Sequence, residues 1–168
     1  MDRIIALIRK AELDELPIAF NLLKEAAEWL HKKDIDYWQN WLDPKPGHRQ
    51  WIEEGFQKHE FYFVVNSGNE IIAMFRLQKS DKRFWGAMDD RSGYLHSFTV
   101  RRILSGDGLG YKILSRIEEL LKDESTHILR LDCGECLYNY YEQYGFRKVR
   151  VIELYGEKLM LYEKKIEL

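Results

Sequence analysis

The chain has 168 residues, 45% of them apolar and 14% aromatic, which fits one domain with its own core and excludes a disordered chain. Its 26 Lys and Arg stand against 28 Asp and Glu, a formal net charge of -2, with the signs interspersed, so there is no electrostatic reason to expect nucleic acid or an anionic membrane as partner. No apolar run approaches the roughly 18 residues of a membrane span. With two cysteines and no export signal, a reducing cytoplasm is the simplest location.

Taken in chain order, "MDRIIALIRKAE" reads as a first strand, buried over residues 4–8. From Leu13 the apolar spacing turns helical, with Leu16, Phe20, Leu23, Ala27 and Leu30 on one face. The aromatic stretch "DYWQNWLDPKPG" is a loop marked by prolines and glycine, and a short helix over 49–58 follows it. "FYFVVNSGNEIIAMFRL" is a hairpin around Ser67-Gly68-Asn69. A polar connector leads to a strand over 94–100, then to "SGDGLG", then to an amphipathic helix. That helix has Leu109, Ile113, Leu114, Ile117, Leu120 and Leu121 on its apolar side. A strand over 127–132, a short helix over 136–144 ended by Gly145, and two antiparallel strands around Tyr155-Gly156 complete the chain. The order predicts a layered α/β (α+β) domain spanning the whole chain, with a mixed, mostly antiparallel central sheet flanked by helices.

"SGDGLG", Ser105 to Gly110, sits between an apolar strand and a helix. A helix N-terminus offers unpaired N–H groups and a positive dipole end, and glycines there let an anion approach. The competing reading is a bare turn. A dinucleotide fingerprint fails because Tyr111 stands where glycine is required, and a P-loop fails at Gly110-Tyr111-Lys112.

"SFTVRRILSGDGLGYKIL" resembles the acyl-CoA-binding motif of the GNAT superfamily of N-acetyltransferases. The resemblance implies that Val100 ends the cofactor strand. It also implies that Ser105, Gly106, Asp107, Gly108, Leu109 and Gly110 form the loop whose N–H groups hold the CoA pyrophosphate. Ser105 departs from the arginine or glutamine usual there, and Arg101 and Arg102 are candidates to compensate. "YYEQYGFRKV" resembles the family's Tyr-Glu-x-x-Gly-Phe signature, which makes Tyr141 the acid that protonates the leaving CoA thiolate. The family's helix-start asparagine is missing; Gly134 stands near its place, and Asn139 is the candidate contact for the pantetheine arm. The resemblance further implies a strand splayed near Phe98 and Val100, with a backbone N–H polarising the thioester carbonyl.

The attacking amine must lose a proton, and His96 in "YLHSFTV" is the candidate base, since an imidazole titrates near neutrality. Strand alternation puts Tyr94, His96 and Phe98 on one face; Asp89 and Asp90 are reserve bases. The implied activity is transfer of an acetyl group from acetyl-CoA, or of the acyl group of another acyl-CoA, to the primary amine of a small molecule or peptide. Two alternatives stay open. One is a non-catalytic acyl-CoA-binding module on the same fold. The other is thiol redox chemistry at Cys133 and Cys136, a C-x-x-C between a strand and a helix. Thioredoxin-like sites set a later cis-proline against that motif, and Pro17, Pro44 and Pro46 all precede it. No second Cys/His pair at metal-binding spacing accompanies the cysteines, so no metal is expected. Trp29, Tyr37, Trp38, Trp41, Trp51 and Phe56 serve either as core or as an aromatic acceptor wall. The last strands leave a homodimer open.

Overall fold

The computed structural model describes residues 1–167. Seven strands form one sheet in the order β1-β2-β3-β4-β5-β7-β6: β1 (Ile5–Lys10), β2 (Phe61–Asn66), β3 (Ile71–Gln78), β4 (Ser92–Val100), β5 (Ile128–Cys133), β6 (Arg147–Leu154) and β7 (Glu157–Lys165). The helices are α1 (Leu16–Lys32), α2 (Pro46–Gln57), α3 (Lys82–Trp85), α4 (Leu109–Asp123) and α5 (Tyr138–Tyr144). β1–β2, β2–β3, β5–β7 and β6–β7 run antiparallel, and β4–β5 run parallel. This is the mixed, mostly antiparallel sheet with flanking helices that the element order predicts.

Two compact units are distinguished, one of Met1–Arg76 with Ser97–Gly110, the other of Leu77–His96 with the chain from Tyr111 onward. In the first, α1 and α2 cover the β2–β3 hairpin. Ala19, Leu22, Leu23, Ala27, Ile52, Phe56, Phe61, Phe63 and Met74 form its core. The buried stripe of α1 comprises Ala19, Leu22, Leu23, Ala26, Ala27 and Leu30; Leu23, Ala27 and Leu30 are buried as the spacing predicts, while Phe20 and Leu16 stay half-buried. Arg76 is 2% exposed. Its guanidinium lies 4.2 Å from the centre of the Trp51 ring and donates to Glu60 at 2.7 Å and to the Trp51 carbonyl at 2.9 Å, so the buried charge is fully partnered. Gly55 makes room for this arrangement: a Cβ there would stand 2.4 Å from the Phe61 ring and 2.8 Å from Arg76 Nε.

In the second unit Trp85, Tyr94 and Leu161 pack together around another buried cation, Arg130. Its guanidinium grips both oxygens of Asp90, at 2.8 and 2.7 Å, and donates to Ser92 Oγ and the Tyr94 hydroxyl. Ile113, Leu114, Ile117 and Leu121 of α4 are buried as the spacing predicts.

Four local expectations need correction. β1 is an edge strand with both faces partly open; an apolar pentad reads the same at an edge as in a core. α2 starts at Pro46, because proline suits the first helical turn and need not mark a loop. The polar connector contains the one-turn α3, capped by Asp81. A 3-10 turn over Glu135–Leu137 precedes α5.

Candidate active site

The glycine loop is built from both sides. At the end of β4, Arg101 N–H donates to the Ile72 carbonyl at 2.8 Å, and the buried Leu104 anchors a 3-10 turn over Arg102–Leu104. Glu25 of α1 accepts the Arg102 N–H at 2.6 Å and forms an ion pair with Arg101 Nε at 3.2 Å. The Arg102 guanidinium lies 3.9 Å from the centre of the Trp29 ring. Both arginines considered as replacement phosphate ligands therefore engage α1.

Beyond them, Ser105 Oγ–H donates to the Arg102 carbonyl at 2.8 Å, which turns this side chain back into the loop. Gly106, Asp107 and Gly108 then take φ of +93°, +52° and +75°. Three successive left-handed residues are open to glycine and tolerated by aspartate, but costly for most side chains. The run leads directly into the N-terminus of α4, where unpaired N–H groups and the positive end of the dipole suit an anion. A Cβ added at Gly106 or Gly108 would meet nothing within 4 Å, so packing does not account for these glycines. Arg3 braces the loop from the N-terminal segment, donating to the Gly106 carbonyl at 3.2 Å and pairing with Asp107 at 3.6 Å.

β4 carries a left-handed residue inside a strand, Ser97 with φ +52°. Its parallel register with β5 runs from Ser92↔Ile128 to Leu95↔Leu131 and stops there, although β4 continues to Val100. Ser97 thus interrupts the alternation expected through Tyr94, His96 and Phe98. Phe98 and Val100 are half-buried, and Asn139 is exposed.

Tyr141 lies in α5 and is 6% exposed. Its ring packs edge-on against Tyr140 and Phe146 at 5.1 and 5.5 Å. Gly145, with φ +109°, ends the helix, and Phe146 N–H donates back to the Tyr141 carbonyl at 3.0 Å. Burial holds the phenol well above its ordinary range, and Tyr140, Cys133 and Asp132 add to the rise. The group stays protonated at neutral pH and is available as a proton donor.

His96 stands between two carboxylates. Its Nε2 is 2.7 Å from Asp81 Oδ2 and its Nδ1 is 3.4 Å from Asp132 Oδ1. The side chains of His96, Asp81 and Asp132 are 9%, 6% and 11% exposed. Burial pushes the Asp132 carboxyl from 3.8 up to about 6; His96 pulls it down, and Asp81 and Glu157 push it further up. Neither aspartate is flagged by the sequence, because the connector and β5 reach His96 only in the folded chain. Of the two reserve bases, Asp90 is bound by Arg130, which lowers its carboxyl, and Asp89 is exposed.

Cys133 is buried, Cys136 is exposed, and neither is in a disulfide. Burial pushes both thiols up, opposite to what redox catalysis requires. Of the aromatic residues, Trp41 and Phe56 belong to the core. Tyr37 and Trp38 stack at 5.7 Å and stay half-buried, with Trp38 at φ +60°. Among the described residues, no helix is long and apolar enough to cross a membrane.

The sequence pattern of the Acetyltransferase (GNAT) family matches residues 23–146. The chain is 30% identical over 135 residues to the uncharacterized N-acetyltransferase YesJ of Bacillus subtilis (strain 168), covering 74% of this chain and 72% of that one. A GNAT-family acetyltransferase structure from Listeria monocytogenes 4b F2365 superposes with a TM-score of 0.74 at 24% identity, over 95% of this chain and 94% of that one. The PaiA N-acetyltransferase of Thermoplasma acidophilum, solved in complex with coenzyme A, gives 0.68 at 16% identity, over 95% and 98%. The family match carries the assignment and the superpositions carry the fold: this chain belongs to the GNAT family of acetyltransferases, enzymes that transfer an acyl group from an acyl-CoA donor to an amine.

Proposed function

We propose that the protein is an acetyl-CoA-dependent N-acetyltransferase acting on the primary amine of a small molecule or peptide by direct attack on the thioester. The observation that carries this reading is the left-handed run at Gly106, Asp107 and Gly108, open above both glycines and leading into α4. Backbone N–H groups of Ser105 to Gly110 hold the pyrophosphate. The backbone at Phe98 and Val100 polarises the thioester carbonyl, stabilising the oxyanion. Asn139 contacts the pantetheine arm. His96 removes the amine proton through water, and Tyr141 protonates the CoA thiolate. Two free thiols suit a reducing cytoplasm.

Tyr141→Phe tests the assignment. A general acid contributes roughly 100- to 10,000-fold, so kcat on a panel of polyamines, lysine and N-terminal peptides should fall by that factor. The Kd for acetyl-CoA, measured by calorimetry, should change less than about threefold. Unchanged turnover removes Tyr141 from the chemistry.

A further inference from the structure

We propose that Glu25 of α1 is a positioning residue for the acyl donor: by gripping the Arg102 peptide it fixes the course on which the chain enters the glycine loop. This rests on the acetyltransfer reading above and adds to it a residue outside the resemblance.

The spacing along α1 sets up the contact. Glu25 and Trp29 are an i, i+4 pair, so they stand one above the other on the same side of the helix. Leu22, Ala26 and Leu30 of that helix are buried, so packing fixes its frame. The Trp29 ring receives the Arg102 guanidinium at 3.9 Å, and the Glu25 carboxylate takes hold of the chain itself. One oxygen accepts the Arg102 N–H at 2.6 Å, and the other faces Arg101 Nε at 3.2 Å. The bond to the N–H is short and charge-assisted, the stronger kind of backbone contact.

The grip is passed along the chain. The Arg102 carbonyl accepts the Ser105 N–H at 3.2 Å and the Ser105 Oγ–H at 2.8 Å. A bond on one side of a peptide unit polarises it and strengthens those on the other. Ser105 then leads into the left-handed run at Gly106, Asp107 and Gly108. A Cβ at either glycine would meet nothing within 4 Å, so packing above the loop does not hold its shape. Its course depends on fixed points instead. These are the Arg101 N–H on the Ile72 carbonyl at 2.8 Å, the Arg102 N–H on Glu25, and the Gly106 carbonyl on Arg3 at 3.2 Å.

Charge alone argues against an acid in this position. A carboxylate at the entrance to a polyanion site repels the ligand, and this one also engages Arg101, a cation that could otherwise turn to a phosphate. What Glu25 supplies is order. A loop already in its bound shape forfeits less conformational freedom on binding. The two effects have opposite signs, which makes the role measurable. Glu25 acts through the Arg102 peptide and does not itself touch the donor.

The test uses the full-length protein with coenzyme A, in the wild type, Glu25→Gln, Glu25→Ala and Glu28→Gln. Glu28 is an exposed acid on the same helix, 3.9 Å from Lys24, and controls for the loss of one negative charge. By calorimetry, Glu25→Gln keeps an acceptor without its charge and should raise Kd about threefold. Glu25→Ala keeps neither and should raise it about tenfold or more. Glu28→Gln should bind at least as tightly as the wild type. In the ligand-free protein, hydrogen exchange at the Leu104, Ser105 and Leu109 amides should speed up about threefold or more in both Glu25 variants, with the β2–β3 hairpin unchanged. A uniform loss of stability would instead speed exchange in the hairpin as well. If Glu25→Ala does not fold, Glu25→Gln still gives the sign. A Kd in Glu25→Gln equal to or below that of the wild type overturns the proposal, as does an equal weakening in Glu28→Gln or loop exchange left at the wild-type rate. A wild type that does not bind coenzyme A counts against the acetyltransfer reading, and the exchange pattern then decides whether Glu25 holds the loop. Where turnover is found, KM for the donor should rise in Glu25→Gln with kcat at saturating donor unchanged. A fall in kcat at constant KM also overturns the proposal.

Discussion

Gly108 allows the strain of a backbone to be separated from the occupancy of the space above it. Its φ is +75°, and a Cβ there meets nothing within 4 Å. Gly108→Ala should therefore destabilise the protein by strain alone, roughly 1 kcal/mol, the cost of placing a Cβ-bearing residue in the left-handed region. Gly108→Asn fills more space but tolerates that region, so its stability loss should shrink to a few tenths of a kcal/mol. Anion binding should run the other way. If the cradle holds a pyrophosphate through two charge-assisted N–H bonds, each worth about 1.5–3 kcal/mol, blocking them costs about 3 kcal/mol or more. That is roughly a 100-fold rise in Kd, greater for Asn than for Ala because Asn is larger. Urea denaturation gives the first quantity and calorimetry with acetyl-CoA the second. Stability and affinity should thus rank the two variants in opposite orders. If Gly108→Asn binds acetyl-CoA as tightly as the wild type, the loop is only a turn.

The buried cations give two further tests. Asp90→Asn leaves Arg130 buried with its bidentate partner neutralised and only Glu163, at 3.4 Å, still charged beside it. It should cost about 2–3 kcal/mol, whereas Arg130→Met fills the same space with apolar atoms and leaves the part-exposed Asp90 to solvent, at a smaller cost. The Arg130 hydrogen bonds hold the Asp90 carboxyl below its usual range. Its contribution is therefore full above the ordinary carboxylate range and lost as pH falls through the lowered folded value; denaturation midpoints across pH should show this slope in the wild type and not in Asp90→Asn. Gly55→Ala gains about 1 kcal/mol of helix propensity but drives a Cβ to 2.4 Å from the Phe61 ring. The net result should be a loss of about 2 kcal/mol, and a thermal melt showing stabilisation would refute the packing argument.

The glycine loop is legible as a special backbone because left-handed residues leave their mark on residue type. Gly106, Asp107 and Gly108 are the residues such a run demands, and their place between a strand and a helix is visible in one dimension. The Gly145 stop and the buried face of α4 were legible for the same kind of reason. The placement of Asp81 and Asp132 beside His96 is not, since it depends on which segments meet there. α3 escaped notice because one helical turn shows no periodicity. β1 was read as buried because nothing in "IIALI" encodes whether one strand or two will lie beside it. The interruption at Ser97 is likewise silent, as serine is no marker of a left-handed φ.

The pairing of charges around the loop bears on selectivity. Arg3 answers Asp107, Glu25 answers Arg101, and Arg102 lies on the Trp29 ring. Two of the three cations are answered by a carboxylate and the third is turned onto a ring, so in the proposed cradle it is backbone dipoles that face the anion. Dipoles act over short distances and in fixed directions, whereas net charge attracts any polyanion from afar. If the loop holds a pyrophosphate as proposed, it would sort phosphates by shape and fit, and free nucleotides and inorganic polyphosphate would gain little from their charge alone.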